Sequence, residues 1–238
     1  MKNFDKSLLI RNVILLGLLT PAGCVNVQIS DLTMDVQASG CCVRPAEAIV
    51  LFDGTDFSQW VGEDGNNVKW QIVDGAMKVV PGTSSIVTKQ NFWDFRLHVE
   101  FNIPDSPPSA EGQGKGNSGI YIQRRYEIQI LDSLGQQPVI DGCASLYKTK
   151  APDKNVCKKP GEWQSFDIFF RTPRWQDDKK IENARVTLLH NGVMVHNNVD
   201  IPNKTGAGQP EGPQPGPIKL QEHGSAVKFR NVWIVAIE

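Results

Sequence analysis

Glu127 and His223 are the residues of this 238-residue chain whose types and placement best suit proton transfer. A partly buried carboxyl can be tuned upward and an imidazole titrates near neutrality, so together they form an acid/base pair. Each sits among side chains of the kind that hold a sugar. Tyr121, Gln123 and Gln129 surround Glu127 in sequence, and Lys219 and Gln221 precede His223. Asn117, within Gly116-Asn117-Ser118-Gly119, places an amide beside glycines in a turn suited to a ligand. Spacing alone leaves the plain alternatives open: Glu127 as a surface carboxylate and His223 as a hydrogen-bonded loop residue.

Two short strands must position the first group. Ile120 and Ile122 alternate with Tyr121 and Gln123, and Ile128 and Ile130 alternate with Glu127 and Gln129. Period-two alternation marks half-buried strands, so the isoleucines face a core and the polar set faces the other way. Ile218 and Leu220 likewise oppose Lys219, Gln221 and His223. A sandwich with one curved sheet could bring the two polar faces into a single concave surface.

The rest of the chain reads as strands and turns. Phe95 to Phe101 alternates without error, Gln164 to Arg171 carries Phe166, Ile168 and Phe170 inward, and Val227 to Ile237 shifts phase near Arg230-Asn231, as a bulge would. Asp74-Gly75 and Asn191-Gly192 are hairpin turns. Gln136 to Pro160 and Gly206 to Pro217 are long irregular segments, and loops of such length in a compact domain are usually functional. No window reads as a helix. About a dozen short strands predict an all-β fold, a sandwich of two antiparallel sheets or a jelly roll.

Composition excludes several classes. A net charge of −1 with scattered charges gives no electrostatic footprint for nucleic acid. There is no phosphate-binding loop, dinucleotide fingerprint or Gly-x-Ser-x-Gly elbow, and no His pairing for a preformed zinc site. The first 24 residues read as an export signal: Lys2, Lys6 and Arg11, a short apolar core from Val13 to Leu19, then Pro21-Ala22-Gly23-Cys24. They resemble a bacterial lipoprotein signal, with Cys24 as the lipid attachment point and the chain's only tie to a membrane. Pro21 stands where that pattern usually has Leu, which leaves ordinary cleavage nearby open. Residues 25–46 form a polar tether and 47–238 the folded domain. The setting is then the bacterial cell envelope, lipid-anchored or periplasmic, where an even set of Cys41, Cys42, Cys143 and Cys157 remains. Adjacent Cys41 and Cys42 are poor partners, whereas a Cys143–Cys157 disulfide would close one loop.

Seven motifs then occur in order: Leu51-Phe52-Asp53-Gly54 with Trp60, Asp74-Gly75, Gly116-Asn117-Ser118-Gly119-Ile120, Tyr126-Glu127-Ile128-Gln129-Ile130-Leu131-Asp132, Pro160-Gly161-Glu162-Trp163, Asn191-Gly192-Val193 and Leu220-Gln221-Glu222-His223-Gly224. The series resembles the 3-keto-disaccharide hydrolase domain family over about residues 47 to 238. Glu222 stands where that family usually has Asp. The resemblance implies a concanavalin A-like jelly-roll sandwich and an exported hydrolase acting on carbohydrate. It also implies a mechanism: a ketone at C3 acidifies the C2 proton, a base removes it, the C1 oxygen leaves, and water adds back. Glu127 and His223 would be base and acid, in either assignment. Lys150, Lys219 or a bound divalent cation would stabilise the enolate. Two other readings share the sandwich. A noncatalytic lectin-like module would show a flat aromatic platform. A laminarinase-like β-glucanase would need two spaced carboxylates, and Glu127-x-Gln129-x-x-Asp132 lacks the central acid of that pattern.

Residues 25–46 lack periodic apolar side chains. A chain beginning at Ala46 is therefore expected to melt at the temperature of the mature protein. A large drop on truncation, followed by circular dichroism, would show that the tether packs on the domain.

Overall fold

The computed structural model describes residues 43–237, together with the backbone of residues 29–30 and 33–34. Within the expected tether, Ile29–Ser30 (β1) and Thr33–Met34 (β2) pair antiparallel. The expected signal, with Cys24, and the cysteines at 41 and 42 lie outside the described residues. The domain then runs through β3 (Ile49–Phe52), β4 (Trp60–Gly62), β5 (Gln71–Val73), β6 (Ala76–Lys78), β7 (Ile86–Thr88) and β8 (Asp94–Asn102). It continues with β9 (Ser118–Ile122), β10 (Tyr126–Ile130), β11 (Trp163–Arg171), β12 (Arg174–Gln176) and β13 (Lys179–Glu182). The last elements are β14 (Ala184–His190), β15 (Val193–Ile201), β16 (Lys219–Leu220) and β17 (Lys228–Ile237). Helix among the described residues is limited to one 3₁₀ turn, Gly112–Gly114.

Two antiparallel sheets carry the architecture. The smaller runs β10-β9-β16-β7-β4; the larger runs β15-β14-β11-β8-β17-β6-β5, with β3 pairing to the second half of β17. The alternating side chains of the two sheets meet in one apolar cluster. Ile120, Ile122, Ile128, Ile130 and Leu220 come from the smaller sheet, and Phe95, Leu97, Phe101, Phe166, Ile168 and Phe229 from the larger. Phe101 and Phe166 pack with ring centroids 4.6 Å apart, a spacing that favours aromatic pairs. The all-β sandwich read from the strand periodicity is the observed fold.

Local chemistry sets the turns. Asp74 and Gly75 both adopt positive φ in the β5–β6 hairpin, as do Asn191 and Gly192 between β14 and β15. This is the primed turn whose twist suits paired strands. The bulge expected in β17 falls between Arg230 and Trp233, with Asn231 at φ 47°. The β12–β13 ribbon had no sequence signature: Trp175, Gln176, Lys179 and Lys180 show no inward and outward alternation because the ribbon lies largely in solvent.

Candidate functional site

The register of three strands builds the site. Glu127 on β10 lies opposite Tyr121 on β9, and Tyr121 lies opposite Lys219 on β16. Glu127, Tyr121 and Lys219 therefore form one row across the outer face of the smaller sheet. The next row holds Gln129 opposite Gly119, with the Gln221 N–H donating to the Gly119 carbonyl at 2.9 Å. Tyr121, Glu127 and Gln129 of one polar run thus meet Lys219 and Gln221 of the other on one surface.

That face is covered rather than solvated, and Glu127 is only 3% exposed. Residues 144–147 run along β10 as an irregular extra edge: Ala144 N–H donates to Gln129 O, Gln129 N–H to Ser145 O, and Tyr147 N–H to Glu127 O. On the same edge, the Thr205 hydroxyl accepts the Glu127 N–H at 2.6 Å. The two long irregular segments thus close over the polar row.

The Glu127 carboxyl sits between a donor and two glycines. Tyr121 O–H donates to its Oε2 at 2.8 Å. A Cβ on Gly119 would stand 2.6 Å from Oε1, and one on Gly206 would stand 3.2 Å from Oε2 and 2.7 Å from the Tyr147 ring. These are positions where a close approach requires glycine. Burial drives the carboxyl up to about 7 from its ordinary 4.5, against the opposing pull of the Tyr121 hydrogen bond and the Lys219 charge. Burial also pushes the Tyr121 hydroxyl upward, with the Glu127 charge acting in the same direction. Lys219 lies 4.8 Å from the Tyr121 ring centroid and pairs with Glu63 at 2.7 Å.

Amides complete the wall. Asn117 donates through Nδ2 to the Gln113 backbone and side-chain oxygens, and Gln129 Nε2 donates to Gln113 Oε1 at 2.8 Å. The side-chain oxygens of Gln129 and Gln221 are buried without a hydrogen-bond partner in the protein. Gln113, Tyr147, Thr205 and Glu63 were not singled out by the sequence. All four lie off the β9–β10 alternation, and only the chain's return beside Glu127 gives them a place here.

Three expectations are corrected. Gln123 does not join the polar face: it sits at φ 53° in the β9–β10 turn, donating to Phe92 O and Thr172 and accepting from Arg125. The hairpin needs residues 123–125 to reverse, so alternation stops at Ile122. Lys150 is engaged by Asp153 at 2.9 Å within its own loop and makes no hydrogen bond to the Glu127 group. The strand drawn through His223 ends at Leu220. His223 stands exposed in the following bend, and no hydrogen bond or ion pair joins it to Glu127. Glu222 shapes that bend, its Oε1 accepting the N–H groups of Gly82 and Gly224, so it serves the backbone.

Cys143 and Cys157 are free thiols here, so the expected disulfide is not formed, although the two sulfurs lie within 4.8 Å of each other. Among the described residues, no set of three His, Cys, Asp or Glu side chains converges on Glu127.

A concavity of about 440 Å³ opens on the outer face of the larger sheet and includes His98, Glu100, Trp163, Asp167 and Arg230. Its acids are already engaged. Asp167 meets His98 at 3.1 Å, and Glu100 meets Arg230 at 2.6 Å. His98, Asn231 and Arg230 hold the Glu100 carboxyl down to about 2.

The raised Glu127 fixes a sign for stability. Between pH 4.5 and 7 the unfolded chain releases this proton while the folded chain keeps it. Stability contributed by the neutral form is therefore complete below pH 4.5 and lost as pH rises through 7, by about 3 kcal/mol. Denaturant unfolding at pH 5 and pH 8 should show Glu127→Gln gaining on the parent at the higher pH. Equal shifts in both proteins would remove the buried, raised carboxyl.

Residues 47–235 match the family described as the 3-keto-alpha-glucoside-1,2-lyase-like domain. A protein of Parabacteroides distasonis ATCC 8503 described as a candidate glycosyl hydrolase is 38% identical, with a TM-score of 0.76 over 81% of this chain and 85% of that one. A second candidate glycosyl hydrolase of the same organism is 23% identical, with a TM-score of 0.61 over 81% of this chain and 94% of that one, and shares the fold. The alginate lyase Aly36B shares the fold at 10% identity, with a TM-score of 0.50 over 77% of this chain and 88% of that one. No curated protein is significantly similar in sequence. The chain belongs to the 3-keto-alpha-glucoside-1,2-lyase-like domain family.

Proposed function

We propose that this carbohydrate-active domain cleaves glycosides whose sugar carries a ketone at C3, with Glu127 as the base. One observation carries the reading: a carboxyl buried on a polar sheet face and raised to about 7, which is poised to exchange a proton near neutrality. In the reaction, ionised Glu127 takes the proton from C2. The electron pair of that bond moves toward C3 and places negative charge on the ketone oxygen. The enolate then expels the C1 oxygen, forming the C1–C2 double bond, and the departing alcohol takes up a proton. Water adding across that double bond completes a net hydrolysis.

The surrounding groups have matching roles. Lys219, paired with Glu63, and the Tyr121 hydroxyl, which donates to Glu127, stand in the Glu127 row and would turn to the enolate oxygen as charge develops there. The orphaned amide oxygens of Gln129 and Gln221 would accept sugar hydroxyls. His223, exposed two residues beyond Gln221, would meet the leaving oxygen at the rim. A glycosidase of the two-carboxylate type would need a second free acid, whereas Glu63 is bound to both Lys219 and Arg124.

We place the protein in the bacterial envelope on the strength of residues 1–24, with Cys24 lipidated. Cell fractionation should find it with membranes and find Cys24→Ser released; equal distribution of the two would end that assignment.

Glu127→Gln should lower turnover on a 3-keto-glycoside by about 10²- to 10⁴-fold while the protein stays folded. It should also abolish deuterium exchange at C2. His223→Ala should retain that exchange and slow release of the alcohol. Full activity of Glu127→Gln would overturn the mechanism, and unchanged alcohol release by His223→Ala would remove His223 from it.

A further inference from the structure

The loop that backs Glu127 also carries a cluster of soft donors at its far side. The sulfurs of Cys143 and Cys157 and a ring nitrogen of His190 all lie within 4.8 Å of one another. Cys143 follows the segment after β10, Cys157 lies fourteen residues on, and His190 ends β14. Three stretches distant in sequence are thus drawn together.

One nitrogen of the His190 ring is held by the protein and the other is free. Its ring is fully buried, edge-on to Phe166 at 4.9 Å and stacked on Phe101 at 6.0 Å. Nε2 lies 3.0 Å from Gln164 Oε1, and that oxygen also accepts the Lys158 N–H at 3.0 Å. An atom that accepts from a backbone amide is the amide oxygen, so His190 must carry its proton on Nε2 and donate it. Nδ1 is then a bare lone pair, and it is buried without a partner. Burial pulls the ring down to about 3, which keeps it neutral. An amide oxygen fixing one ring nitrogen while the other stays free is the outer-shell arrangement seen around metal-bound histidines.

We infer that Cys143, Cys157 and His190 form a binding site for a thiophilic d¹⁰ cation, Zn(II) or Cu(I). Bonds of about 2.3 Å to sulfur and about 2.0 Å to nitrogen span such a triangle after small side-chain rotations. Thiolate and imidazole together select these ions over hard cations. Binding releases the two thiol protons and forms two metal–sulfur bonds and one metal–nitrogen bond, without electron transfer. Cys143 is buried and Cys157 half-exposed, so the ion enters past Cys157 and keeps an open position on that side. The bound ion ties both ends of the 143–157 loop to β14. That loop supplies Tyr147, whose N–H holds the Glu127 carbonyl.

The test uses the full chain, reduced and kept without oxygen, with no sugar present, so it is independent of the proposed reaction. Co(II) serves as a coloured stand-in for Zn(II), and Zn(II) and Cu(I) are each titrated against a chromophoric chelator. One ion per chain is expected, with sulfur-to-cobalt absorption in the near ultraviolet and a melting temperature raised by Zn(II). Cys157→Ser and His190→Gln, each shown folded by circular dichroism, should lose the absorption and weaken binding at least tenfold. Cys41→Ser/Cys42→Ser should keep both signals. No binding by the folded reduced chain would overturn the site, as would undiminished affinity in His190→Gln. A Cys143–Cys157 disulfide that forms in air despite saturating Zn(II) would show that the pair serves as a cross-link instead.

Discussion

A carboxyl group withdrawn from water on the outer face of a five-stranded sheet is the constraint that the rest of the site answers. Such a group is costly to ionise unless donors and charges compensate. Glu127 receives one hydroxyl from Tyr121 and a cation at one remove in Lys219. Gly119 and Gly206 give it room, and residues 144–147 with Thr205 keep water away. The partial compensation leaves the proton exchangeable near neutrality. A carboxylate more fully paired would stay ionised far below that range and make a weak base.

Glu100 supplies that comparison within the same molecule. It lies on the outward side of β8 and collects Arg230, Asn231 and His98. Its carboxyl is held near 2, and its charge is consumed by the Arg230 guanidinium, which itself lies 3.9 Å from the Trp163 ring centroid. Asp167 is likewise taken by Arg96 and His98. The two sheet faces use similar residue types for opposite ends. One face neutralises its acids internally, and the other gives its acid a hydroxyl donor rather than an ion pair and leaves two amide oxygens without a partner.

The two irregular segments do more than connect strands. Residues 131–160 lend β10 an added edge at Glu127, and at their far side they bring Cys143 and Cys157 against His190. The loop after β15 brings Thr205 and Gly206 to the same edge, beside Tyr147. The segments with least periodicity therefore do much of the work of setting the dielectric around Glu127. Their backbone pairs with β10 and with its own turns, which is how an irregular chain can be buried at acceptable cost.

Much of the scaffold was legible in the sequence. Alternation at Phe95–Phe101 and at Ile120, Ile122, Ile128 and Ile130 specifies which side chains face the core, because strand geometry allows no other period. The Asp74-Gly75 and Asn191-Gly192 turns and the β17 bulge follow from local φ preferences, and Glu127 was identifiable as a carboxylate on a polar face. Register and coverage were not legible. That Lys219 lies beside Tyr121, that Gln123 leaves the strand to make the turn, and that His223 stays in the exposed bend depend on where hairpins reverse and strands end. The burial that raises Glu127, and the approach of His190 to two cysteines, arise from segments far apart in the chain. Sequence alone determined the faces, since that information is local. Tertiary structure decided the electrostatics, since desolvation and pairing depend on what the remote chain packs against each group.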